Sequence, residues 1–121
     1  MISQIIDVTD QYNATQSVTL DVSLWDKVSV QIVGTFTDDG ITAYISNDSR
    51  ASQGVSDGGP SMATNFFGIQ MTKLVDQTLI SNMNVTGVYG TNIWAKYFRL
   101  QGGLFDDPAS SKVIVFLSKP Y

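Results

Sequence analysis

Two adjacent carboxylate pairs, Asp38-Asp39 and Asp106-Asp107, come closest in this chain to a pattern for general acid–base chemistry. Such work needs both groups to converge on one bond. In an extended chain neighbouring side chains face opposite ways, so neither pair converges unless a turn folds it. Each pair sits beside a turn residue, Gly40 or Pro108, and a turn role is sufficient explanation. Serine and threonine are plentiful, but the chain has no histidine to serve them and no cysteine. A Ser–Lys pair stays formally open. The lysines, however, fall within or beside strand patterns, next to no distinctive serine motif, and read as solvated strand edges.

The remaining chemical patterns are weaker. Asp48 and Asp57 flank a loop rich in carbonyl oxygens, yet their spacing matches no known calcium loop. Gly58-Gly59-Pro60 and Gly102-Gly103 lack the strand–loop–helix setting of a phosphate cradle and read as turns. Trp25, Trp94 and five tyrosines could supply stacking faces for a sugar. Strand alternation puts them on no shared face, so core or interface anchoring is the preferred reading. The expectation is a non-enzyme with no catalytic, cofactor-binding or metal-binding residues and no cofactor.

Composition says what could position such groups. The 121 residues make one domain, 1–121, and 43% hydrophobic content suffices for a packed core. All eleven acids are aspartate. Aspartate favours turns, where its short side chain bonds nearby amides, and missing glutamate removes a good helix former. The net charge is −4, and the seven basic residues (Lys27, Arg50, Lys73, Lys96, Arg99, Lys112, Lys119) are scattered, which argues against a nucleic-acid partner. No apolar run is long enough for a membrane span. Met1-Ile2-Ser3-Gln4 lacks the basic and apolar regions of a secretory signal, so export by that route is not expected.

Period-two alternation dominates the chain. Expected strands are Ile2–Val8, Ser17–Leu24, Lys27–Phe36, Ile41–Asn47, Phe66–Leu74, Leu79–Val85, Ile93–Leu100 and Lys112–Ser118. Trp25-Asp26 reads as a tight corner, and the polar run from Asp10 to Gln16 as a loop. Thr37-Asp38-Asp39-Gly40 predicts a hairpin joining Lys27–Phe36 to Ile41–Asn47. Lys112–Ser118 is apolar on both faces and should pack against other surfaces on both sides. The fold expected is all-β: an antiparallel β-sandwich, jelly-roll-like, of about eight strands. Its core should include Val28, Val30, Ile32, Ile41, Ala43, Ile45, Val113, Val115 and Leu117. Arg99 lies among Tyr97, Phe98 and Leu100, where a buried guanidinium would need a partner; Asp48 is the first candidate. The stretch from Asn47 to Asn65 is long and rich in Gly and Ser, suited to contact with another protein.

The segment from Trp25 to Phe36, followed by Gly40 to Asp48, resembles small β-sandwich proteins of tailed-phage virions. Thr86-Gly87-Val88-Tyr89, then Ala95 to Leu100, then Lys112 to Ser118 continue the resemblance in the same order, over most of the chain from about Ser17. The chain departs from that pattern after Asp48, where its long loop replaces a shorter continuation bearing a tryptophan. The resemblance implies a virion structural protein of a bacteriophage, closest to an auxiliary capsid protein of a crAss-like phage. It would be made in the host cytoplasm and sit on the virion, decorating the capsid by contact with the major capsid protein or other virion proteins, alone or as a homo-oligomer on the particle. The alternative is a tail-associated glycan- or receptor-binding module, which an exposed tryptophan platform would favour.

Overall fold

The computed structural model describes residues 1–47 and 66–120. Among these, ten strands form two antiparallel sheets: β1 (Ile2–Asp7), β2 (Ser17–Asp21), β3 (Lys27–Val33), β4 (Thr42–Ser46), β5 (Phe67–Ile69), β6 (Met71–Lys73), β7 (Thr78–Ile80), β8 (Gly87–Asn92), β9 (Tyr97–Gln101) and β10 (Lys112–Lys119). The six-stranded sheet runs β1-β10-β3-β8-β6-β7, and the four-stranded sheet β2-β9-β4-β5.

The pairing is nested: β1 pairs with β10, β2 with β9, β3 with β8, and β4 with β5. One long antiparallel ribbon is thus folded over on itself, and its successive strand pairs lie in alternate sheets. With β6 and β7 set aside, eight strands remain in two sheets of four, in the order of a jelly roll. The short β6–β7 hairpin is added beyond β8 and widens one sheet to six strands.

Alternation explains where the core lies. Val28, Val30 and Ile32 of β3, with Val113, Val115 and Leu117 of β10, point into the space between the sheets and are buried. Ala43, Phe98 and Leu100 meet them from the other sheet. Eight of the nine expected core residues are buried, while Ile45 is half-buried and packs against the same cluster. Full burial of each large aliphatic side chain contributes about 1.5–3 kcal/mol.

Three expectations are corrected. The hairpin of Lys27–Phe36 with Ile41–Asn47 does not form, because β3 and β4 belong to different sheets. The turn at Gly40 is real, with φ +94°, but it carries the chain across the sandwich, and Ile41 bridges Met83 instead. A Cβ at Gly40 would collide with the Met83 carbonyl oxygen, so this crossing requires glycine. The expected strand Phe66–Leu74 is broken at Gln70: β5 ends in one sheet and β6 starts in the other.

The third correction concerns Asp10 to Gln16, which is helical: α1 spans Thr9–Thr15. Two turns are too short to display a period of 3.6, and Tyr12 is the one large anchor. Its ring is fully buried, packs edge-on to Phe105, and its hydroxyl donates to the Gly103 carbonyl at 2.6 Å. Tertiary packing therefore holds a helix that local propensity would not. Gln16, in the left-handed conformation, ends it.

Candidate functional site

The carboxylates fall where turn chemistry needs them. Asp38 Oδ1 accepts from the Gly40 amide at 3.1 Å, and both its oxygens lie within reach of the Leu104 amide. Asp106 accepts from Thr35 Oγ1 at 2.8 Å, and Asp107 from Ser110 Oγ at 2.9 Å. A second pattern, Asp-x-Ser/Thr, recurs at three places in the sequence. Asp7-Val8-Thr9, Asp21-Val22-Ser23 and Asp76-Gln77-Thr78 each use Oδ1 of the aspartate to accept from both the amide and the hydroxyl two residues on. These bonds hold all three carboxyls below their ordinary range. The aspartate-only acid content is thus explained largely by strand ends and turns.

Among the described residues no group of three potential metal ligands comes together, and no helix is long and apolar enough to cross a membrane. Asp48, Asp57, Gly58-Gly59-Pro60 and all of the expected loop beyond Asn47 lie outside the described residues. Arg99 is buried on the outer side of the four-stranded sheet. Its Nε donates to Thr19 Oγ1 at 2.6 Å and its guanidinium stands 4.5 Å from the Phe66 ring centre.

Among the described residues, two surfaces could bind something. The first is the outer face of the six-stranded sheet. Ile5, Phe116, Ser29, Gly90, Thr72 and Leu79 follow one another across its six strands in register. The neighbouring row holds Asp7, Ile114, Gln31 and Val88. The side chain-free Gly90 and its short neighbours leave a trough of about 450 Å3, bordered by Phe116, Leu74, Gln77, Asn92 and Lys27. Ile5 is 70% exposed and Leu79 63%. The doubly apolar strand read from Lys112–Ser118 is β10: one face is core, while Ile114 and Phe116 lie half-buried on the outer face.

The second surface lies at one end of the sandwich. Because β2 pairs with β9 and β3 with β8, the β2–β3 and β8–β9 connections must run side by side. Val22 N donates to Lys96 O at 2.7 Å and Ile93 N to Asp26 O at 2.8 Å. Asn47, just past β4, clamps the pair by accepting from the Lys96 amide at 2.9 Å. Trp25 and Trp94 thereby line one shallow depression of about 380 Å3, with Ser23, Asn47 and Lys96 beside them. Sequence alternation missed this meeting because both residues sit in connections, where period two does not apply. Trp94, expected within a strand, instead precedes β9 and is 79% exposed.

No protein-family model and no curated protein matches the chain. Among solved structures it is similar to the SPBc2 prophage-derived protein YomS, seen in a crystal structure. The TM-score is 0.51 at 16% identity, and the match covers 97% of this chain and 95% of that one. At this identity the likeness is one of fold.

Proposed function

We propose that the chain is a structural protein of a phage virion, an auxiliary or decoration protein that binds the capsid shell through the outer face of its six-stranded sheet. The observation that carries this reading is β10, whose Ile114 and Phe116 present an apolar stripe on the side away from the core. Ile5 on β1 adjoins it, and exposed Val88 and Leu79 add apolar points farther across the sheet, beyond Gln31, Ser29, Gly90 and Thr72. An apolar stripe beside a polar middle of Ser29, Gln31, Gly90 and Thr72, with charges at Asp7, Lys27 and Lys112, has the mixed make-up of a protein interface. The partner is the major capsid protein or another virion protein, and no catalytic step is involved. The jelly-roll order, frequent among viral capsid domains, and the prophage source of YomS support a phage setting by analogy of fold.

Mass spectrometry of purified particles, scaled to the major capsid protein, tests this. A fixed copy number per shell is expected. Absence from purified particles would remove the assignment. A second reading, a tail-associated glycan- or receptor-binding module, is favoured by one separate observation, the exposed Trp94 beside Trp25.

A further inference from the structure

We infer that the depression between Trp25 and Trp94 is a saccharide-binding site, with Trp94 as the stacking platform. The inference rests on the glycan-binding part of the second reading above and holds whether the chain sits on the shell or on the tail.

Three features make this a prepared site and not a stray exposed ring. The bed is rigid, since three connections are tied together by the bonds Val22 N to Lys96 O, Ile93 N to Asp26 O and Lys96 N to Asn47 Oδ1. Trp25 packs against the core on one side and lines the depression with the other, so it supplies a fixed wall. Polar groups stand beside the indoles with defined senses. Asn47 uses Oδ1 as acceptor toward Lys96, which leaves Nδ2 as its donor end. Ser23 donates its hydroxyl proton to Asp21 at 2.7 Å, so toward a ligand its oxygen is an acceptor. A flat aromatic face with a nearby donor and acceptor suits a sugar ring, which offers C–H bonds on its face and hydroxyls on its edge.

Prior occupancy of the Trp25 ring disfavours the other ligand that aromatic pairs attract. A quaternary ammonium would also seek indole faces. Here Lys119 Nζ already stands 5.9 Å from the Trp25 ring centre, and Lys96 lines the depression. Lys119 thus already takes the cation position on the Trp25 ring, where a second cation would have to compete with it, while Asp21 offsets Lys96; a neutral hydroxylated ligand meets no such competition.

The test applies the full chain and two variants, Trp94→Ala and Asn47→Asp, to an array of bacterial surface oligosaccharides, with choline chloride as the cationic control. Trp94 is exposed, so its removal should leave the urea midpoint unchanged. Asn47→Asp keeps the acceptor for Lys96 N and deletes the donor. The expected result is binding of the full chain to at least one oligosaccharide, weakened about tenfold or more by either variant, as loss of a stacking or hydrogen-bonding contact implies. Choline should leave tryptophan fluorescence unchanged. Binding equal in all three proteins would overturn the site while leaving the glycan-binding reading in place. No binding to any oligosaccharide would overturn both. Quenching by choline without oligosaccharide binding would overturn the ligand class.

Discussion

The guanidinium of Arg99 stands 4.5 Å from the centre of the Phe66 ring, and this pair joins β9 to the residue that precedes β5. Thr19 Oγ1 accepts from Nε on the opposite strand, β2. The sequence pointed to a buried arginine in need of a partner. Among the described residues the partners are a ring and a hydroxyl; Asp48, the carboxylate expected there, lies outside them. Burial lowers the arginine pKa by desolvation. Arg99→Ala should destabilise by about 2–3 kcal/mol, the scale of a charged hydrogen bond with an aromatic contact. Arg99→Lys should recover only part, because lysine has no Nε to place against Thr19. Urea unfolding midpoints measure both, and a loss below about 0.5 kcal/mol for the alanine variant, the level of an ordinary surface change, would contradict the role.

Tyr12 makes stability sensitive to alkali. Its burial pushes the phenol pKa upward, despite the hydroxyl bond to Gly103. Tyr89 is raised in the same way. A group raised on folding contributes stability that is complete below its unfolded pKa and is lost as pH rises through the folded one. Unfolding free energy should therefore be flat toward neutral pH and fall above about pH 10, where an unfolded tyrosine ionises. Tyr12→Phe should cost about 1–3 kcal/mol at neutral pH by orphaning the Gly103 carbonyl. It should also lessen the alkaline fall; an identical fall in the variant would exclude Tyr12 as a source.

The aspartate turns act at the other end of the pH scale. Asp7, Asp21 and Asp76 are depressed first by the side-chain bond from the residue two positions on, then by its amide. A depressed carboxyl contributes stability above its unfolded pKa that is lost as pH falls through the folded one. Stability should thus decline below about pH 4, near the ordinary aspartate value. Asp76→Asn keeps an acceptor oxygen but cannot titrate, so its midpoint curve between neutral and acid pH should be flatter than that of the parent chain. A curve superimposable on the parent would contradict the assignment.

Ile32 is fully buried in β3. Ile32→Ala should cost about 2–5 kcal/mol. Calorimetry or urea titration gives the value, and a near-neutral result would mean that the inward face of β3 has been misread.

The inward faces of β3 and β10 were legible because a sheet covered on one side writes an alternation into the chain. The nested pairing was not legible, since Thr37-Asp38-Asp39-Gly40 has the chemistry of a hairpin turn whether the next strand pairs with the last or crosses to the other sheet. What decides is long-range: β3 is already flanked by β10 and β8. The same pairing explains why the Trp25–Trp94 depression was hidden, for two connections become neighbours only once four strands are paired. The outer face of β10 was half legible. Apolar residues on both sides of Lys112–Ser118 told of two contacts, and among the described residues the core supplies one of them.

The outer side of β10 is the proposed contact with the shell. Phe116→Asp places a charge at the centre of the proposed shell contact, on a side chain outside the core cluster. The direct measurement is the copy number of this variant in purified particles, by mass spectrometry against the major capsid protein, with the parent chain as reference and an unchanged circular dichroism spectrum as the fold control. The account predicts full parental occupancy and a variant depleted about tenfold or more, as expected when a charge is buried unpaired at the centre of an interface. Equal occupancy of parent and variant would contradict it.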